Sequence, residues 1–247
     1  MRCCGLTDRG LVRKMNQDNY VIAYSESGDL FAIVCDGIGG VNGGEVASKM
    51  AIDYLSAQFS ATKGFRDLEE ARNWIRYHIL QINHHILETG LANPIYKGMG
   101  TTLVGVFVSK IGSLVINIGD SRCYGVFHDN AFHLLTMDHT LVNEMLRTGE
   151  ITPEEAKNHP KKHVIINALG VWDAIRIDID VIEGEYQNFL LCSDGLFGYV
   201  PERQLYHILR SDYSSEIKVR RLMTLALQAG GYDNITIILV DMQKGDY

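Results

Sequence analysis

The chain of 247 residues carries 23 Lys and Arg against 30 Asp and Glu, a net charge of −7, with 46% hydrophobic and 21% charged residues. These are globular values, and this length can bury about 70–75% of the unfolded surface, enough for a full core without staples. A membrane-spanning protein is excluded, since no apolar run approaches roughly 18 residues, and an acidic chain without a Lys/Arg block is a poor nucleic-acid binder.

The opening Met-Arg-Cys-Cys has no apolar h-region, and Arg2 stands where myristoylation needs glycine, so neither a signal peptide nor a lipid anchor is expected. Residues 20–25 and 30–35, joined by Glu26-Ser27-Gly28, read as a hairpin. A helix follows from about Glu45, with Val46, Met50, Tyr54 and Leu55 at helical spacing. A longer helix opens at Asp67, where Asp-Leu-Glu-Glu fits a capping box with Asp67 at N-cap and Glu70 at N3. Its stripe is Leu68, Ala71, Ile75, Ile79, Ile82 and Ile86, and Gly90 is expected to end it. The stripe explains the helix by itself, so His78, His84 and His85 read as surface or boundary residues.

The middle is β again, at 102–108, 114–118, 123–127 and 132–136, with connections so short that the neighbours must be antiparallel. Residues 139–170 change character: short helical pieces, a Thr-Pro-Glu-Glu capping signal at 152–155, and a cluster of His159, Lys161, Lys162 and His163. Strands return at 175–182 and 189–192, followed by helices near 201–209 and 216–229 and a last strand at 235–240. Strands grouped with strands and helices with helices predict antiparallel sheets covered by helices, without βαβ alternation. With no repeat, linker or low-complexity tract, residues 1–247 read as one domain. The five cysteines (Cys3, Cys4, Cys35, Cys123, Cys192) are odd in number and have no Cys-x-x-Cys spacing, which fits free, largely buried thiols in the cytoplasm.

The chemistry-bearing pattern is an aspartate beside glycine at the end of an apolar strand, repeated. Phe-Ala-Ile-Val-Cys runs into Asp36-Gly37, Leu-Val-Ile-Asn-Ile into Gly119-Asp120, and Phe-Leu-Leu-Cys-Ser into Asp194-Gly195. The mirror case is Gly230-Gly231-Tyr232-Asp233-Asn234, which leads into the last strand. One such aspartate is usually a turn residue. Several at one rim of a sandwich would instead repel one another and call for a hard divalent cation, Mg²⁺ or Mn²⁺ in preference to Zn²⁺. Spacing leaves both readings open. There is no Walker A loop, no Gly-x-Gly-x-x-Gly, no zinc helix of the His-Glu-x-x-His type and no Gly-x-Ser-x-Gly elbow. A Cys-x5-Arg match from Cys3 to Arg9 is discounted, because no strand can precede it to hold a thiolate loop.

Taken together, the motifs resemble the metal-dependent (type 2C, PPM) Ser/Thr protein phosphatases in their short bacterial form. The resemblance runs nearly end to end: T-D-R-G-L-V-R at 7–13, N-Q-D at 16–18, D-G-I-G-G at 36–40, G-E-V-A-S at 44–48 and G-T-T at 100–102. It continues with G-D-S-R at 119–122, D-H-T-L-V at 138–142, L-C-S-D-G-L at 191–196 and G-G-Y-D-N-I-T at 230–236. The fold it implies is α+β, a four-layer αββα sandwich of two mainly antiparallel sheets flanked by helix pairs. Residues 139–170 would correspond to a mobile flap, whose basic cluster either meets phosphoprotein substrates or is merely solvated.

The resemblance implies two core Mn²⁺ or Mg²⁺ ions. Asp36 would bridge them, Gly37 would offer its carbonyl, Asp194 and Asp233 would complete the set, and Asp18 would hold coordinated water. Asp120, with Asp194, would take a third, weaker ion, and Arg13 would grip the substrate phosphate. The activity implied is hydrolysis of phosphoserine and phosphothreonine in proteins by metal-activated water, without a phospho-enzyme and opposing a Ser/Thr kinase. No nucleic-acid or membrane partner is expected. Two positions depart from relatives that carry histidine there, Ile38 and Val41, which leaves metal-bound water as the donor to the leaving group. The alternative is a catalytically inactive phosphoprotein-binding module; dead relatives lose metal aspartates or the phosphate arginine, whereas this chain keeps them.

Overall fold

The computed structural model describes residues 1–39 and 43–242. Gly40 and the Val41 departure lie outside the described residues.

Two five-stranded sheets stack face to face, and every strand pairing among the described residues is antiparallel. The first runs β1 (Arg2–Asp8), β12 (Ile235–Asp241), β11 (Tyr186–Cys192), β8 (Arg122–Phe127), β9 (Phe132–Leu134). The second runs β10 (Asp178–Val181), β7 (Gly112–Ile118), β6 (Leu103–Ser109), β3 (Leu30–Cys35), β2 (Asn19–Tyr24). A two-residue ribbon of β4 (Gly37–Ile38) and β5 (Gly100–Thr101) sits beyond them.

Period-two alternation builds three apolar layers from strands that are hydrophobic on both faces. In β3, Leu30, Ala32 and Val34 enter the core between the sheets with Val104, Val106, Phe189, Leu191 and Ile238. Phe31, Ile33 and Cys35 face the other way, against α1 (Gly43–Ser60) and α2 (Leu68–Ala92). On the far side, Leu190, Ile237 and Leu239 pack against α6 (Glu202–Leu209) and α7 (Ser215–Gln228). The order helix, sheet, sheet, helix is the αββα sandwich expected. In the chain, α3 (Leu141–Thr148) and α4 (Pro153–Lys157) fall between β9 and β10, and the four-residue α5 (Asp194–Phe197) follows β11. Among the described residues, no helix is long and apolar enough to cross a membrane.

Local expectations meet five corrections. Strand β1 was not foreseen: its residues are all exposed or half-buried, so no alternation marks them, yet they pair with β12 in unbroken register from Arg2↔Asp241 to Asp8↔Ile235. Helix α2 does not stop at Gly90, which is buried within it; it ends at Ala92, where Asn93 and Pro94 follow. The capping box at Asp67 is half formed, since Asp67 accepts from the Glu70 N–H at 2.8 Å while the Glu70 carboxylate turns to the Arg66 N–H at 2.7 Å. The box at Thr152 and Glu155 is complete. Strand β10 is shorter than 175–182, and α5 is too short for any periodicity to announce.

Phe59 shows how the helix layer is held. It is fully buried, with its ring edge-on to Phe31, Trp74 and Phe107 at centroid distances of 5.4, 5.9 and 6.2 Å. Phe59→Ala should cost about 3–5 kcal/mol, read as a lowered urea midpoint with an unchanged m-value; an unshifted midpoint would show that the layer repacks freely.

Candidate active site

Antiparallel pairing brings distant aspartates to one rim. Strand β2 begins where β3 ends (Asn19↔Cys35), which puts Asp18 beside Asp36. Strand β12 begins near the end of β11 (Cys192↔Ile237), which sets Asp233 near Asp194. Strand β7 ends opposite the start of β6 (Leu103↔Ile118), and Asp120 follows it. Asp36 feels the charges of Asp18, Asp194, Asp120 and Asp233, so all five share one electrostatic neighbourhood.

Neutral hydrogen-bonding side chains fix the backbone beneath them. The Asp36 N–H donates to Thr102 Oγ1 at 3.0 Å, the Thr102 N–H donates to the Asp36 carbonyl at 2.8 Å, and Thr102 Oγ1 bonds Ser121 Oγ at 2.8 Å, tying β3, β6 and the turn at Asp120 together. Ser193, fully buried, accepts from the Thr236 N–H at 2.9 Å and donates to Asp18 Oδ2 at 2.7 Å. Asn234 is the hub of the N-terminal loop. It donates to the carbonyls of Arg9 and Met15, both at 2.8 Å, and accepts from the Gln17 N–H at 2.8 Å. The Leu11 N–H donates to the Gly231 carbonyl at 2.7 Å. These bonds hold Arg13 over the rim, where its Nη2 donates to Asp233 Oδ2 at 2.6 Å.

The glycines of the two Asp-Gly pairs have a steric cause. A Cβ on Gly37 would stand 2.2 Å from the Gly44 carbonyl oxygen, and one on Gly195 would stand 1.9 Å from the Asn234 carbonyl oxygen. Backbone from another loop occupies the space a side chain would need, so each aspartate is locked against a neighbouring element.

Burial and mutual repulsion hold the carboxyls above their ordinary range. Burial, with the Asp233 charge, lifts Asp18 to about 6 even though Ser193 and Thr236 hydrogen bonds pull it down. Burial lifts Asp120 to about 6, with Asp138 raising and Arg122 lowering it. Burial, then Asp120, Asp233 and Asp18, lift Asp194 to about 7 against the pull of Arg13. Asp36 is raised well above the usual carboxylate range by burial and by its four neighbours.

Among the described residues, no three His, Cys, Asp or Glu side chains converge tightly enough to chelate one ion as they stand. The carboxylates share a rim, not a point, which is how like charges settle when a guanidinium draws one of them aside. The donor chemistry nonetheless fits a hard divalent cation. The set is all carboxylate, burial and then neighbouring negative charge raise Asp18, Asp36, Asp120 and Asp194, and Asp18 Oδ1 is buried without a hydrogen-bond partner.

Some participants escaped the sequence reading although their motifs were in view: Ser193 and Asn234 adjoin flagged aspartates, and Thr102 closes the quoted Gly-Thr-Thr. Arg122 and Asp138 form a bidentate pair, Nε to Oδ1 at 3.0 Å and Nη2 to Oδ2 at 2.8 Å, with the guanidinium stacked 4.0 Å from the Phe197 ring centroid. An open cleft of about 830 Å³ is lined by Arg13, Asp120, Asp194 and Asp233 and also by Lys157, Lys162 and His163. His159 and Lys161 of the expected cluster do not line it. Ile38 lies in β4 near Gly100 and bears no proton to give. Cys3 is held inside β1 opposite Val240, and burial pushes its thiol upward, contrary to what a nucleophilic thiolate requires.

A family model described as protein phosphatase 2C matches residues 12–229. The serine/threonine phosphatase Stp of Listeria welshimeri is 41% identical over 243 residues, covering 97% of this chain and 96% of that one. Protein phosphatase PhpP of Streptococcus pneumoniae is 37% identical over 243 residues, covering 98% and 97%. Among solved structures, the serine/threonine phosphatase Stp1 from Staphylococcus aureus superposes with a TM-score of 0.90 at 35% identity, over 98% of this chain and 95% of that chain.

The raised carboxyls carry a linkage consequence. Between their ordinary value of 3.8 and about 7, the folded chain binds more protons than the unfolded one, so stability present at low pH is lost as pH rises through that window. In EDTA, the Tm should be higher at pH 5 than at pH 8, and Mn²⁺ should raise it more at pH 8. A Tm that climbs from pH 5 to pH 8 in EDTA would refute the crowding of charge.

Proposed function

The chain belongs to the protein phosphatase 2C family and is a protein-serine/threonine phosphatase, and from that premise we propose that the aspartate rim is its catalytic centre. The observation that carries this reading is the gathering of five carboxylates from five strand ends, with Asp18, Asp36, Asp120 and Asp194 raised in pKa, beside one exposed arginine. Asp36, Asp194 and Asp233 would hold two Mn²⁺ or Mg²⁺ ions together with the Gly37 carbonyl. Asp120 with Asp194 would hold a third, weaker one. When bound, such ions supply Lewis acidity, neutralising phosphoryl oxygens and lowering the pKa of the attacking water.

The chain's own residues do the rest. Arg13 offers a planar fork to two phosphate oxygens, orienting phosphorus for in-line attack and absorbing charge as it develops. Asp18, aimed by Ser193, is placed to orient water from beneath. The bond from phosphorus to the serine or threonine oxygen breaks as the bond from water oxygen forms, so no protein nucleophile is needed. Ile38 cannot protonate the departing alkoxide, which leaves solvent of the open cleft as the donor. Segment 139–170 acts as a flap that brings Lys162 and His163 to the cleft. Substrates are phosphorylated by a Ser/Thr kinase, the reaction this one opposes, and buried free thiols support a cytoplasmic setting. Arg13, Asp36, Asp194 and Asp233 are all present, and nothing favours the inactive binding module.

Hydrolysis of para-nitrophenyl phosphate should require added Mn²⁺ or Mg²⁺ and vanish with EDTA; turnover untouched by chelation would sink the mechanism. Asp194→Ala or Asp233→Ala should abolish turnover while the protein stays folded by circular dichroism. Arg13→Ala should lower kcat/KM on the order of 100-fold, mainly through KM, with only partial recovery in Arg13→Lys, because an ammonium lacks the fork. Unchanged constants in Arg13→Ala would remove the arginine from phosphate binding.

A further inference from the structure

At the cleft stands an apolar ledge made of Leu11, Val12, Tyr199 and Tyr232, whose residues are 67%, 59%, 40% and 53% exposed; Tyr199 lines the cleft itself. Its members touch in sequence. A Cβ on Gly231 would lie 2.9 Å from Leu11 Cγ, Tyr232 follows Gly231, and the Tyr232 and Tyr199 rings lie 5.4 Å apart, tilted by 39°. The ledge is rigid at its base, where the Leu11 and Val12 N–H groups both donate to the Gly231 carbonyl, at 2.7 and 3.3 Å.

Contiguous exposed apolar residues on a soluble chain mark a contact surface more often than isolated ones do. Two facts identify the occupant here. The ledge is continuous with the cleft, since Tyr199 lines it beside Asp194 and Asp233. Leu11 also stands two residues from Arg13, within about 7 Å of chain. An extended peptide advances about 3.3–3.6 Å per residue, so when its phosphate is on Arg13 the neighbouring side chains fall on this ledge.

We propose that the ledge seats an apolar or aromatic side chain next to the phosphorylated serine or threonine, making the enzyme selective for phosphosites flanked by such residues on a protein substrate. This rests on the phosphatase reading of the rim. Lys157, Lys162 and His163 line the same cleft together with the apolar Val142, Leu146, Pro153 and Ala156, so substituting Leu11 and Tyr232 together isolates the share of the ledge.

The test uses two phosphothreonine peptides, one with leucine and one with glycine on both sides of the phosphoresidue, together with para-nitrophenyl phosphate, all with Mn²⁺. The wild type should favour the leucine peptide by about tenfold in kcat/KM, the worth of one partly buried aliphatic side chain. In Leu11→Ser/Tyr232→Ser the preference should shrink to about twofold through KM, while glycine-peptide and para-nitrophenyl phosphate rates hold, which also reports that the variant is folded. Absence of a wild-type preference overturns the proposal, as does an equal loss on all three substrates, which would make the ledge a structural support. Wild-type dimerisation in sedimentation that the double variant abolishes, with the preference intact, would assign the ledge to a second copy and overturn it too. A wild type that turns over none of the three substrates would instead fell the phosphatase reading, and the ledge's role with it.

Discussion

Repulsion among buried carboxylates is the constraint around which this molecule is organised. Five aspartates crowd one rim, where burial and neighbouring negative charge raise Asp18, Asp36, Asp120 and Asp194, while Arg122 pulls Asp120 down and Arg13 pulls Asp194 down. Such a rim disfavours the folded state, and the chain does not relieve it with lysines among the acids. It holds the acids with neutral groups: Ser193 beneath Asp18, Thr102 and Ser121 beneath Asp36, Asn234 beside Asp233. Neutral hydroxyls and amides fix geometry without quenching charge, so the negative field stays available to whatever cation the cleft admits.

The sandwich makes this arrangement affordable. Because neighbouring strands are antiparallel, every second strand terminus faces the same end, and residues as distant as Asp18 and Asp233 meet without long loops. Three apolar layers, two of them between sheet and helices, supply burial that offsets the strained end. Arg122 extends the design inward: desolvated and paired with Asp138, it steadies the turn after Asp120 while competing for that carboxyl's field.

How much of this the sequence discloses depends on whether the controlling contact is local. The aspartates were legible because an apolar strand and its Asp-Gly exit are adjacent in the chain, and the helices because their stripes repeat. Strand β1 was not, because only its partner β12 makes Arg2-Cys3-Cys4-Gly5 a strand. Gly90 misled for the same reason: propensity reads it as a stop, whereas tertiary packing carries α2 past it to Asn93. The supporting residues Ser193 and Asn234 sat within quoted motifs, yet nothing local says that a serine will reach Asp18 or that one asparagine will stitch two distant carbonyls. The mutual distances of the aspartates, and hence the raised pKa values, exist only in three dimensions.

Arg13 shows why one side chain can serve both the resting rim and a phosphate. A guanidinium carries five N–H donors in a fixed plane. Nη2 bonds Asp233, the side chain is 53% exposed, and Arg13 lines the cleft. A lysine could bridge Asp233 and a phosphate with its three donors, but they diverge from one nitrogen; the planar fork can hold a carboxylate on one arm and still meet an oxyanion with its other donors in plane. The position of Arg13 follows from Asn234 and the Gly231 carbonyl gripping the residues on either side of it, so the reach of the arginine is set by a loop that carries no charge to the reaction.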